Sequence, residues 1–198
     1  MDDVVSHELS AAARSVWAKA HRDEQRQVDD WMPLWRHLDD TAAVAGRLWG
    51  EWLPSSVRRV ISACVAGDED RARRLVVWLA GVHDLGKATP AFAVQVPSLA
   101  ARMHAAGLPV EGPYGNRREL RHELAGHVCL VRWLAERHHW SAADGHRIAV
   151  VVGGHHGVAP TFQQVRDAPH RTALLGQGRW TQVQDEYLDR QAHFPPRG

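Results

Sequence analysis

Apolar positions recur at three- and four-residue intervals along most of this chain, which predicts helices. Leu9, Ala12, Ala13, Val16 and Trp17 mark a first helix over residues 6–20, and residues 21–32, polar and acidic, read as a loop. Pro33 suits the first turn of a second helix. The buried face of that helix would carry Leu34, Leu38, Thr41, Ala45, Leu48 and Trp52 before Pro54 ends it. A short helical piece over Val57 to Ala66 and a turn at Gly67-Asp68 lead to the most apolar helix, Asp70 to Val82. Its Leu75–Ala80 stretch is expected to be buried nearly all round, and Gly86 stops it.

Thr89-Pro90 then reads as an N-cap followed by a first-turn proline. It opens a helix over Ala91–Ala106 that bends at Pro97. Residues 107–117 hold three Gly and two Pro and form a loop. Leu120, Leu124, Val128, Val131 and Leu134 give one face to a helix over Glu119–Arg137. Ser141-x-x-Asp144 resembles a capping box with Asp for Glu and opens a short helix, Asp144–Val152, that ends at Gly153-Gly154. Residues 158–178 show no clear period, Trp180–Gln191 is a last helix, and the tail from His193 to Gly198 reads as open-ended. With no convincing run of strands and no internal repeat, the fold class is all-α: one helical bundle over residues 1–198.

Composition narrows the classes. A chain of 198 residues with 44% hydrophobic and 24% charged positions can bury a core and is not disordered. The formal charge of +1 neither demands nor excludes nucleic acid. Cys64 and Cys129 form no CxxC pair, so thiolate zinc sites and disulfides are not expected, and the chain reads as cytoplasmic. No apolar run is long enough for a membrane span, and Met1-Asp2-Asp3 opens no signal peptide. The unusual count is 14 His, several of them beside apolar segments.

One pair organises these histidines. His83-Asp84 ends the most apolar helix, where a charged carboxylate needs a partner or a metal. His37 lies beside the buried face of the second helix, His122 opens a later helix, and the doublet His155-His156 is bracketed by glycines. Each alone is more often a satisfied core or surface residue. Bundled helix ends would bring all six to one pocket. Imidazoles and a carboxylate suit Mn, Fe, Co, Ni or Zn better than Mg alone. Five imidazoles and one carboxylate are too many for one tetrahedral ion but suit two ions sharing a bridge, and Asp84 is the natural bridge.

The order and spacing of these motifs resemble a known family. Trp17-Ala18-Lys19, Trp31 to Ala42 around His37, His83 to Phe92, Arg121-His122-Glu123 and Gly154-His155-His156-Gly157 are similar to the HD nuclease domain of the type I CRISPR interference helicase-nuclease, within the HD phosphohydrolase superfamily. The likeness runs from about residue 15 to 160. It implies metal-dependent cleavage of single-stranded DNA, on the strand displaced when an RNA-guided effector complex opens its target. It also implies two metal positions, one held by His37, His83 and Asp84, the other by Asp84, His122, His155 and His156. Lys87, one turn beyond Asp84, would neutralise a phosphate oxygen.

Two features depart from simple expectation. Family members carry a further aspartate ligand on a later apolar helix, whereas Asp167, Asp185 and Asp189 are the only aspartates after His156 and none sits in such a helix. The expected residue would lie beyond Gly198, so the chain reads as truncated. Gly81 to Lys87 matches a phosphate-binding loop until Ala88 replaces the hydroxyl residue that should ligate magnesium, and it follows a helix rather than a strand. ATP binding is therefore rejected, and the helicase would be a later segment or another protein. Two other readings stay open: an HD phosphohydrolase acting on nucleotides, and a docking module for a CRISPR effector complex that does not cut.

Overall fold

In a computed structural model the described residues are 8–25, 27–110 and 114–191. They form eleven α-helices and one β-hairpin. The all-α frame stands, but the hairpin replaces most of the first predicted loop and the end of the first predicted helix, residues 17–20. Helix α1 spans only Ala11–Ser15, capped by Ser10, whose hydroxyl accepts from the Ala13 N–H. Strands β1 (Trp17–Arg22) and β2 (Val28–Pro33) pair antiparallel, with Ala20 opposite Trp31 and Lys19 opposite Met32. Register shifts after Trp17 and after His21 break the two-residue alternation that would announce strands, and Val16-Trp17 alone fits either period. Pro195 and its neighbours in the tail, like His7 at the start of the predicted first helix, lie outside the described residues.

Helix α2 (Leu34–Arg47) follows the hairpin directly, the Leu34 N–H donating to the Val16 carbonyl at 2.8 Å. Its predicted buried face is buried only at Leu34 and Leu38; Leu48 is 47% and Trp52 74% exposed, on a π-helical turn over Leu48–Trp52. The apolar period continues past the point where anything covers it. Helix α3 (Ser55–Ala63) leads to α4 (Glu69–Val82), capped by Asp68 with Glu69 and Asp70 in its first turn, where the helix dipole favours acids. Ala72, Leu75, Trp78, Gly81 and Val82 are buried, while Val76, Val77, Leu79 and Ala80 are half-exposed, so the helix is buried on one face rather than all round. A 3-10 turn over Leu85–Lys87, not Gly86 alone, ends it.

The predicted helix over Ala91–Ala106 is two: α5 (Pro90–Ala93) and α6 (Pro97–Ala105), because Pro97 restarts the helix rather than bending it. Helix α7 (His122–His138) is the central element and α8 (Ala142–Gly153) packs along it, as α2 packs along α4. Ser141 caps α8 through the Asp144 N–H, but its hydroxyl bonds the Asp144 carboxylate, so the box is half made. The stretch without period holds α9 (Phe162–Asp167), opened by a complete Thr161–Gln164 capping box, and α10 (Thr172–Leu175). Helix α11 (Arg179–Gln191) closes the bundle: Tyr187 donates to the Ala13 carbonyl and Glu186 accepts from the Ser10 N–H.

Candidate metal centre

Asp84 occupies the step between α4 and the 3-10 turn, with φ −103° and ψ 15°. That is the sparsely populated bridge region where site residues often sit. Its side chain is buried, and its two oxygens face different groups. Oδ2 lies 2.8 Å from His37 Nε2, 3.2 Å from His83 Nε2 and 2.7 Å from Lys87 Nζ. Oδ1 lies 3.1 Å from His122 Nε2 and 3.5 Å from His155 Nε2. His156 joins the second group, its Nε2 3.1 Å from His122 Nε2. All six candidate ligands named from the sequence thus meet in one place, contributed by α2, the end of α4, the start of α7 and the turn after α8.

Two rings are aimed by their own helices. His83 Nδ1 donates to the Ala80 carbonyl at 2.8 Å, and His155 Nδ1 donates to the Val152 carbonyl at 2.7 Å. Each bond assigns the proton to Nδ1 and leaves the Nε2 lone pair facing Asp84, the outer-shell arrangement that orients metal-binding histidines. His122 leans on a neighbour instead. Its Nδ1 lies 3.3 Å from Oε2 of Glu123, whose other oxygen is 2.7 Å from Arg121 Nε. Glu123 is buried, which its place in the sequence does not announce. An acid in the first turn of a helix is ordinarily explained by the dipole alone, so only its burial singles it out.

Lys87 is not a solvated helix-end lysine. It is buried, and beyond Asp84 its Nζ donates to the Ala18 carbonyl of β1 at 3.1 Å. Trp17 stacks against Phe92 of α5 with ring centroids 4.3 Å apart, which pins the hairpin beside this lysine. Gly86 is the other close fit. A Cβ there would come within 1.8 Å of the His122 carbonyl and 2.5 Å of the Gly126 amide nitrogen, so only glycine lets the turn touch the start of α7.

Burial by itself would push the Asp84 carboxyl group up. The surrounding imidazoles of His122, His155, His37 and His83 outweigh it and hold the group well below the usual carboxylate range. Burial lowers His155, but the Asp84 carboxylate beside it carries it above the ordinary imidazole value. His156 is lowered, by burial and then by the nearby charges of His155 and His122.

The donor set can be tested against a metal. His37, His83 and Asp84 form one group, and His122, His155 and His156 another, within each of which the ligand atoms lie within 4.8 Å of one another. Asp84 Oδ1 and His155 Nε2 are both buried and neither has an aligned hydrogen bond. A buried ionised carboxylate ringed by Nε2 atoms, two of which are lone pairs by their Nδ1 bonds, is short of cations, and divalent ions fit that deficit. The three late aspartates do not contribute: Asp185 pairs with Arg132, Asp189 accepts from Trp133 Nε1, and Asp167 meets Gln163 and Arg166.

A helical bundle that converges histidines from three other places on a His-Asp pair is an HD domain. The profile of the family described as "Cas3, HD domain" matches residues 17–196, and the chain belongs to that family. Over 159 residues it is 31% identical to the CRISPR-associated nuclease/helicase Cas3 of Streptococcus thermophilus, covering 71% of this chain and 16% of that relative. It is similar to a crystal structure of a CRISPR-associated protein, with a TM-score of 0.78, 30% identity, 94% of this chain and 20% of that one covered. It also resembles a chain in a CRISPR RNA-guided surveillance complex in a pre-nicking state, with a TM-score of 0.68, 26% identity, 92% of this chain and 21% of that one covered. The chain therefore spans about a sixth of the length of the curated relative it matches.

Proposed function

We propose that this chain is a metal-dependent HD nuclease that hydrolyses phosphodiester bonds in single-stranded DNA during CRISPR interference. The observation that carries this reading is the division of Asp84, whose Oδ2 serves the His37/His83 group and whose Oδ1 serves the His122/His155 group. Such a carboxylate suits a bridge between two divalent transition ions, Mn, Fe, Co or Ni before Mg alone. When bound, two ions supply Lewis acidity, activating water at neutral pH and neutralising charge on the phosphate. The protein's own part is positional. His83 and His155 arrive with Nε2 already free, and Asp84 arrives ionised. Lys87, engaged on Asp84 and on the Ala18 carbonyl, sets the carboxylate rather than reaching a phosphate.

The relative's name, nuclease/helicase, and the surveillance complex among the structural neighbours support a setting with a helicase and an RNA-guided effector as partners. We read residues 1–198 as one HD domain, with ATP-driven unwinding assigned to a fused or separate helicase. No described helix is long and apolar enough to cross a membrane, and both cysteines are free, which suits a reducing, cytoplasmic setting. The test is incubation of the purified chain with circular single-stranded DNA and Mn or Co. Cleavage by the unmodified chain and none by Asp84→Ala is expected; equal cleavage by the variant would sink the assignment.

A further inference from the structure

Two grooves lie beside the metal centre and share residues. One, of about 310 Å³, is lined by Phe92, Gln95, Arg117, Arg118, Arg121 and His122. The other, of about 190 Å³, is lined by Arg118, Arg121, His156 and Val158. They share Arg118, Arg121 and Glu123 and together make a trough beside the touching pair His122 and His156, His122 lining the first groove and His156 the second. Its rim is basic. Arg117, Arg118 and Arg121 are all exposed. The acids among them are already engaged: Glu119 pairs with Arg171, and Glu123 with Arg121 and His122. Arg117 and Arg118 have no acidic partner among the described residues. Arg22 of β1 donates to the carbonyl of Gln95, a residue of the first groove, at 3.3 Å.

We propose that Arg117, Arg118 and Arg121 form the phosphate track that lays a single strand across the His122/His156 side of the centre. The proposal rests on the nuclease reading and adds where the strand runs. Three observations carry it: the two grooves share Arg118 and Arg121, each is lined by a candidate metal ligand, and the charges left without an acidic partner are guanidiniums, which suit bidentate phosphate contacts. Val158, 78% exposed beside His156, gives the exit an apolar surface for a sugar or base edge. The track reads backbone and not sequence, so it sets where and how tightly a strand is held.

The experiment separates grip from chemistry. Binding of a fluorescent oligothymidylate is measured without added metal over a range of salt for the unmodified chain and for Arg117→Ala/Arg118→Ala. Hydrolysis of bis-p-nitrophenyl phosphate with Mn, a diester too small to need the track, is measured in parallel. The double variant is expected to bind about tenfold more weakly. The slope of log affinity against log salt should be shallower by about 1.4, at roughly 0.7 per lost phosphate contact. Small-diester hydrolysis should be unchanged, and Arg117→Lys/Arg118→Lys should recover most of the slope. Unchanged affinity and slope overturn the track. So does a parallel loss of small-diester hydrolysis, which would assign these arginines to the folding of the centre. If the unmodified chain hydrolyses nothing yet its binding depends on the two arginines, the nuclease reading falls and the track stands.

Discussion

Lys87 shares Asp84 Oδ2 with His37 and His83, its Nζ 2.7 Å from that oxygen and anchored to the Ala18 carbonyl at 3.1 Å. A buried ammonium in that place fixes where the carboxylate points and offsets its charge. Lys87→Met is expected to cost about 2 kcal/mol of stability, less than the ~3–5 kcal/mol of an isolated buried pair because four imidazoles stay around the carboxylate. It should also weaken Mn binding about tenfold. Denaturant unfolding and metal titration check the two effects separately. Lost stability with intact metal affinity would reduce Lys87 to a packing residue.

Gly86 makes a sharper case. A methyl group there meets backbone atoms of His122 and Gly126, which cannot swing aside. Gly86→Ala should therefore lose about 3 kcal/mol or more and, by pushing the start of α7 away, lose metal binding as well. Gly115→Ala, whose new methyl would meet nothing within 4 Å, should be close to neutral and serves as the control in the same unfolding assay.

Metal counting tests the bridge. The unmodified chain should bind two Mn or Co ions, His37→Ala one, and Asp84→Ala none tightly. The rise in melting temperature with metal should shrink in the same order. Glu123→Gln, which weakens the hold on His122 Nδ1, should lower affinity for the second ion about tenfold and leave the first unaffected. Calorimetry and elemental analysis read both numbers; one ion in the unmodified chain would refute a shared carboxylate.

A different histidine contributes to acid sensitivity. His127 is buried on α7, its Nε2 2.9 Å from His146 Nδ1. Burial first, and then the charge of His146, lower its pKa from 6.5 to about 4. The unfolded chain therefore binds a proton near pH 6.5 that the folded chain refuses until about pH 4. The folded state is fully favoured above pH 6.5 and loses ground as pH falls through that window, by at most about 3 kcal/mol. Urea unfolding at pH 7 and pH 5 should show the loss, and His127→Gln should flatten it.

Much of the centre could be read from the chain because its ligands are side-chain identities at fixed order: His37, His83-Asp84, His122 and His155-His156 all converge. Other parts were hidden for physical reasons. Lys87 is tied to a backbone carbonyl, which any residue at position 18 would supply. The hairpin carrying that carbonyl has two register shifts, so its alternation is broken. Glu123 looks like an ordinary first-turn acid until its burial is known. The apolar period of α2 runs on through Leu48 and Trp52 into solvent, where periodicity cannot tell a covered face from a bare one. The short helices between Thr161 and Leu175 hold too few turns to show a period, although the Thr161–Gln164 box was there to be noticed.

The acceptors for His83 and His155 have one more effect. Each ring is held by a carbonyl three residues back on its own chain segment, so its aim travels with the end of α4 or α8. A small slide of one helix past the other would change the spacing between the two ligand groups without turning either nitrogen away. Adjusting these two ligands to ions of different radius would then call for a shift of helix ends rather than a change of rotamer at His83 or His155.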